Sequence, residues 1–468
     1  MKQFLDWSSY EDAGMGDAYA DIPKTGGNFA KAVAVCIGSR QCEEKGRGVM
    51  CPSFRVSDNP NLSTGGRVKL LKKALNGEFA ASGLLQPELI EAMDLCVSCK
   101  GCKRECENGV DMAAIKVEYL AQYNSQRGIS WRAKLFARLP QWLHRKPWLR
   151  DLIKLRNQSR LLAYMGEKLL GITAKLPIPT PATKPFSANT DNAKSPEQIH
   201  LQTEKEAVNR QVILFVDTLS YHFEPKIAEA AVAVLENAGY RVSIARPEIS
   251  GSENDRPLCC GRSYLSQGMV EEAKQEAHRT VAALLPHIQA GLPIIGLEPS
   301  CLLMLRDEYM MLDLGEDAKT LANQAMLLEE FLAKEISAKR LNLNLREESK
   351  EAPALIHGHC HQKAVGAMKA MRKVLKQIPD LDFDNIEAGC CGMAGSFGLE
   401  AEHFPLARQM AEQDLLPALR AAPQATVIAN GFSCRQQIRT GSDHQPVHLA
   451  IYLQKKLNLT KEKQRVRK

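Results

Sequence analysis

Apolar and polar positions follow two different rhythms along this 468-residue chain. Over the first third, apolar residues recur at three and four, the period of helices that bury one face. RVKLLKKAL, running to Leu75, ELIEAMDL after Pro87, and DMAAIKVEYLAQY from Asp111 each predict a helix, the second with proline in its first turn. Residues 1–35 read as an irregular lead-in, and residues 128–172 as short helices broken by Pro140 and Pro147. Residues 174–209 are rich in Pro, Ser, Thr and Asn without apolar period, which predicts a linker. Beyond it, VILFVD (212–217), RVSIA (241–245), LPIIGL (292–297), ALIHGH (354–359) and ATVIAN (425–430) predict buried strands separated by helices. Such alternation predicts an α/β architecture with a mainly parallel sheet.

The second rhythm occurs twice. CCGRSYLSQG at 259–268, a helix, a strand and Cys301 form one copy; CCGMAGSFG at 390–398, a helix, a strand and Cys434 form the other. The gap from the cysteine pair to the single cysteine is 40 residues in the first and 42 in the second, so a duplication is expected. The copies differ upstream: the second has Cys360 in HGHCHQKA, whereas VDTLSYHFEP in the first has Ser220 near that place and no cysteine. The expected division is 1–127, helical and ferredoxin-like; 128–173, basic and Trp-containing; 174–209, linker; 210–345 and 346–456, the two α/β repeats; and 457–468, a basic tail.

Composition changes the picture in three ways. No run of 18 apolar residues exists, and MKQFLDWSSYEDAG lacks the apolar stretch of a secretory signal, so a cytoplasmic location is expected. The net charge of +7 is concentrated: residues 130–160 carry +8 and residues 454–468 carry +6, leaving −7 on the rest. That is not the general basic surface of a nucleic-acid binder. Of the 14 cysteines, seven in each half, some form C-x2-C runs and adjacent Cys-Cys pairs, which suit metal ligation better than disulfides.

Cys96, Cys99, Cys102 and Cys106 form a C-x2-C-x2-C-x3-C run, the spacing that holds a [4Fe–4S] cluster. Where two such clusters lie side by side, each run gives three ligands to one cluster and its fourth cysteine to the other. Cys96, Cys99 and Cys102 therefore pair with Cys51, and Cys106 crosses to join Cys36 and Cys42. In CIGSRQC, Ser39 stands where a further cysteine would complete the second set. A serine ligand, a [3Fe–4S] cluster and a [4Fe–4S] cluster with a non-protein ligand are all open there; a [4Fe–4S] cluster with an unusual fourth ligand is preferred. In the second half, Cys360, Cys390, Cys391 and Cys434 offer four thiolates at strand ends, and Cys259, Cys260 and Cys301 offer three. His357, His359 and His361 crowd the Cys360 loop as ligands, proton carriers or plain polar loop residues.

These strings resemble a known family. The repeated CCG and distant cysteine resemble the CCG domains of heterodisulfide reductase B subunits, glycolate oxidase iron–sulfur subunits and the C component of anaerobic glycerol-3-phosphate dehydrogenase. In both copies the final C-x2-C of the full motif is reduced to one cysteine. GVMCPSFRVS, LSTGGRVKLLKKAL, DLCVSCKGCKREC, GLEPSC and ANGFSCRQQI resemble the C-terminal iron–sulfur half of bacterial FAD-linked oxidases of the D-2-hydroxyglutarate/D-lactate dehydrogenase type. Glu107 departs from the Pro usual in that family after the fourth cysteine. The resemblance implies an α-helical ferredoxin-like domain followed by two α/β CCG domains. It implies electron transfer from FAD on a partner dehydrogenase subunit to a quinone or carrier, with heterodisulfide-reductase-like chemistry as the alternative. No G-x-G-x-x-G between strand and helix is present for a flavin on this chain.

Trp131, Leu135 and Leu139 fall four apart among Arg132, Lys134 and Arg138, with Trp142 and Trp148 beyond. A peripheral membrane contact and a stripe packed on the core both fit this pattern; the packed stripe is preferred, because the prolines keep the pieces short.

Overall fold

The computed structural model describes the chain apart from residues 18–19, 45–47, 80–82, 188–209, 248–255, 342, 347–352 and 459–468. Most of the expected linker and of the basic tail lies outside the described residues. The first part is helical: α1 Gly27–Ala34, α2 Pro52–Ser57, α3 Thr64–Leu75, α4 Pro87–Asp94, α5 Gly101–Glu105 and α6 Met112–Arg127. Ser63 caps α3 and Asp111 caps α6 through their side chains, so both starts follow from N-cap residues. The lead-in is more ordered than expected. It contains α1, and Trp7 is buried with its indole N–H donated to Glu118 at 3.1 Å.

Three helices follow, α7 Trp131–Arg145, α8 Leu149–Gln158 and α9 Arg160–Leu170. Pro147 separates α7 from α8, but Pro140 lies inside α7 and does not break it. An internal proline costs about 3 kcal/mol; Ala137 and Leu143, buried on either side, hold the helix through that point. The described part of the expected linker is tied down as well, with backbone bonds from Ala182 to His222 and from Phe186 to Tyr221.

The remainder is α/β. β1 Gln211–Phe215, α10 Thr218–His222, α11 Pro225–Asn237, β2 Arg241–Ile244, α12 Arg262–Leu265, α13 Val270–Gln289, β3 Ile294–Gly296, α14 Pro299–Arg306, α15 Gly315–Gln324, β4 Ala325–Leu327 and α16 Leu328–Ser337 build the first sheet unit. β5 Ala354–Ile356, α17 Cys360–Val365, α18 Met368–Leu375, β6 Phe383–Asn385, α19 Phe404–Gln413, α20 Leu415–Ala421, β7 Val427–Ile428, α21 Phe432–Gly441 and α22 Leu449–Lys456 build the second. The sheets are parallel, ordered β2-β1-β3-β4 and β6-β5-β7. β4 and β6 were not expected: AML sits in a run of helical period, and FDN is a short polar edge.

β1 is buried on both faces, and its two-residue alternation assigns each face to a different core. Ile213 and Phe215 pack into a core shared with Leu71 and Ile115 of the helical part. Val212 and Leu214 pack into a core shared with Ile356 and Ile428 of the second sheet. The three regions are therefore bound through common apolar interiors, which fixes how their cysteine loops face one another.

Candidate metal centres

All 14 cysteines are free thiols, most of them buried. Cys51, Cys96, Cys99 and Cys102 line one small cleft, together with Thr64, Arg67 and Met112. Burial pushes the Cys102 thiol up to about 12 and Cys99 well above its ordinary value. Four thiols this close repel one another as thiolates, so the set suits a cationic iron–sulfur core. Close by, Cys36 is raised by burial and by the neighbouring Cys42 and Cys106. The donors in both places fit the clusters expected of them, three thiols in the second and four in the first.

The N-terminus of α3 joins the two sets. Thr64 donates its backbone N–H to Cys51 Sγ at 3.0 Å, and Gly65 donates to Cys42 Sγ at 3.2 Å. Free N–H groups and the positive end of the helix dipole favour negative sulfur there. Cys42 is lowered to about 6, first by a hydrogen bond from Cys51 and also by Gly65. Thr64 and Gly65 escaped the cysteine-based reading, although the Ser63 cap before a Gly-Gly helix start was a usable signal.

Ser39 is exposed, and its loop repeats the backbone of the cubane loop. Gly38 and Ser98 both have positive φ, at +82° and +48°, as do Arg40 and Lys100, at +62° and +61°. Short helical turns then begin at Gln41 and Gly101. This register sets Ser39 opposite Cys99, and Cys36 and Cys42 opposite Cys96 and Cys102.

In the second sheet unit, contacts run from Cys360 to Cys390, on to Cys391, and on to Cys434. Donor atoms of His357, Cys391 and Cys434 lie within 4.8 Å of one another. Cys360 follows β5 and Cys434 follows β7, neighbouring strands with different crossovers, the place where α/β sheets open a crevice. The three histidines are buried rather than a solvated loop. His357 is lowered by burial and bonds Cys391. His359 is held up to about 9 against burial, chiefly by Cys360, and caps α17. His361 turns away from the thiols towards Ser98 O, 3.1 Å distant.

The first sheet unit has the same arrangement with one substitution. Cys259 contacts Cys260, and Cys260 contacts Cys301. Gly261 and Gly392 share φ values of +87° and +86°, and a Cβ on either would meet a helix carbonyl, of Ala273 or Ala407. Asp217 caps α10 as His359 caps α17, so the next residue, Thr218, corresponds to Cys360. Thr218 bonds Cys259 as Cys360 bonds Cys390. Ser220, near that place, lies two residues further on and donates to Asp217 Oδ2 at 2.8 Å.

The ferredoxin-type loop is clamped to both sheets. Lys100, buried, pairs with Asp307 at 2.6 Å and Glu308 at 2.7 Å, and Arg262 pairs with Glu308 at 2.7 Å. Arg104 bonds the carbonyl of Lys363. Cys99 lies close enough to Cys360 for their charges to interact.

Comparison with known proteins gives the class. Residues 32–110 match the family model of the 4Fe-4S dicluster domain, and residues 354–439 match that of the cysteine-rich CCG domain. The chain is an iron–sulfur electron-transfer protein built from a helical ferredoxin-type domain and α/β CCG architecture. It is distantly homologous to part of D-2-hydroxyglutarate dehydrogenase: 22% identical to the Escherichia coli K12 protein over 88% of this chain and 43% of that one. The Pseudomonas putida protein of that name is 24% identical over 91% of this chain and 43% of its own length. The C component of the anaerobic glycerol-3-phosphate dehydrogenase of Escherichia coli K12 is 23% identical over 51% of this chain and 57% of its own. The chain thus spans less than half the length of the D-2-hydroxyglutarate dehydrogenases it matches. Among the described residues no helix is long and apolar enough to cross a membrane.

Proposed function

We propose that this chain is the iron–sulfur module of a flavin-dependent D-2-hydroxy-acid dehydrogenase, taking electrons from FAD on a partner subunit and delivering them to a quinone or carrier. One observation carries the reading: the thiol sets lie in succession. Cys42 touches Cys51, and Cys99 lies within electrostatic reach of Cys360, so the three sets follow one another through the molecule. Cys36, Cys42 and Cys106 would hold one cluster, Cys51, Cys96, Cys99 and Cys102 the next, and Cys360, Cys390, Cys391 and Cys434 a further one. Such clusters, when bound, accept and release single electrons.

The chain's residues supply the rest. α3 directs N–H groups at sulfur, the buried Lys100 fixes the cubane loop, and the apolar cores keep water from the inner sets. The first sheet unit is proposed as a second CCG domain, of which Cys259, Cys260 and Cys301 are the remaining ligands. The one-cysteine ends and Thr218 weigh against disulfide reduction on a pair of complete CCG sites.

The test uses protein purified anaerobically from its own host. A flavoprotein should travel with it, and D-2-hydroxyglutarate, D-lactate or glycolate should reduce the clusters, followed by absorbance and EPR. Reduction by dithionite but by no hydroxy acid, with no flavoprotein present, would reject the proposal in favour of disulfide chemistry.

A further inference from the structure

Helices α8 and α9 are built inside out. On α8, Trp148 at its cap, Leu152 and Leu155 are 58%, 51% and 53% exposed, and their spacing puts them on one face. On α9, Leu161, Tyr164, Met165 and Leu169 recur at three and four and are likewise exposed. The core-forming periodicity of both helices is intact, yet it points to solvent: α8 buries no residue, and α9 buries only Ala163.

The polar side chains fix that orientation. Arg156 donates to the carbonyl of Leu176 at 2.7 Å, and Asn157 both donates to and accepts from the backbone of Ile178, at 2.7 and 2.9 Å. Glu167 accepts the N–H of Ala174 at 2.6 Å. Turning the apolar stripes inward would break all of these, so the outward face is a built feature of the fold. Of the stripe expected to pack on the core, Trp131 is 80% exposed, whereas Leu135 and Leu139 are half-buried.

Charge identifies the occupant. Residues 131–170 carry ten Lys/Arg against Asp151 and Glu167. Lys134 lies over Trp131 at 5.8 Å, and Lys168 over Tyr164 at 5.5 Å, so cations flank the aromatic tips. Protein interface cores are depleted in lysine. Short helices with exposed Trp and Leu beside Lys and Arg have the composition of segments that lie in the headgroup layer of anionic membranes. We propose that the outer face of α8 and α9, with Trp131, docks the protein on an anionic bilayer surface without crossing it. The proposal stands on this face alone and does not depend on the cluster assignments.

The test is sedimentation of the full-length holoprotein with two kinds of vesicle, phosphatidylcholine alone and phosphatidylcholine with roughly one-third phosphatidylglycerol. Binding is expected to the anionic vesicles, weakened by salt, with a blue shift of tryptophan fluorescence that Trp131→Phe with Trp148→Phe diminishes. Leu155→Glu with Leu161→Glu should lower partition by about tenfold or more, with cluster absorbance and melting unchanged. Absence of binding to anionic vesicles at low salt, or undiminished binding by the double glutamate variant, would overturn the proposal. So would a face that ignores vesicles but captures the flavoprotein partner, which would identify a protein occupant instead.

Discussion

His361 ties the second sheet unit to the ferredoxin-type loop, its Nε2 lying 3.1 Å from the carbonyl oxygen of Ser98. Burial and the nearby Arg262 hold the ring well below its ordinary pKa, so it is neutral. Arg262 reaches Nδ1 at 3.4 Å as a donor, which assigns the proton to Nε2 and the donation to Ser98. Ser98 precedes Cys99, whose charge interacts with that of Cys360. His361 thus positions the junction between the two thiol sets. His361→Ala should cost about 1–3 kcal/mol, the usual cost of a buried bond lost, and slow electron passage across the junction. His361→Gln, which keeps a donor, should recover part of both. Denaturant unfolding and stopped-flow reduction read the two effects.

Cys99→Ser should remove or damage the cluster of the Cys51 cleft. Iron and acid-labile sulfide are expected to fall by about one cluster's share, since four thiolates hold each cubane. Unchanged iron and sulfide would remove Cys99 from the ligand set.

Ser39→Cys places a thiol where the loop geometry already matches Cys99. It should raise iron content or sharpen the EPR signal of the Cys36, Cys42 and Cys106 centre, with the other centres unaffected. An identical spectrum would mean that the side chain at 39 does not reach that centre.

Thr218→Cys restores the fourth sulfur of the first sheet unit. Iron and sulfide per chain should rise, or bound metal should resist chelator longer than in the parent. The fold should be undisturbed, because Thr218 already bonds Cys259 from the equivalent position. Metal content and chelation kinetics equal to the parent's would contradict the correspondence with Cys360.

His403 joins the loop before α19 to α4, with Nε2 2.7 Å from Asp94 Oδ2. Burial opposes its charge, but Asp94 and Glu400 raise it to about 9. A raised histidine pKa contributes stability fully below its unfolded value, about 6.5, and loses it as pH rises towards 9. The stability difference between the parent and His403→Gln should therefore shrink by about 1–2 kcal/mol across that window, a figure reduced for the solvent around the half-exposed Asp94. A difference independent of pH, measured by denaturant unfolding, would show that the pair is not charged.

The cysteine strings and the five strands found in the sequence were legible because each is local: a spacing, or a short apolar run between turns. α3, α4 and α6 were legible for the same reason. The error at Pro140 came from weighing proline's local cost without the buried Ala137 and Leu143 that offset it. The sequence placed only Ser220 near the counterpart of Cys360, because the residues before each cysteine pair differ too much to align; the helix caps at Asp217 and His359 supply the register and identify Thr218. Periodicity revealed amphipathic character around residues 131–170, but which face is covered depends on Leu176 and Ile178, outside the helices. The meeting of His361 with Ser98 joins segments 263 residues apart and left no mark in the pattern.

Gly261 and Gly392 separate a site's shape from its content. A methyl group at Gly392 would strike the carbonyl of a packed helix and at Gly261 would press on one, and both hold the positive φ that favours glycine. The cysteine pairs are therefore set by backbone, whether or not all their partners remain. In the first unit Thr218 keeps the hydrogen bond and gives up the sulfur, so the cradle outlives the ligand. A hydroxyl and a methyl in place of one thiol there alter the donor set while leaving the unit's architecture, and its grip on the neighbouring domains, as it was.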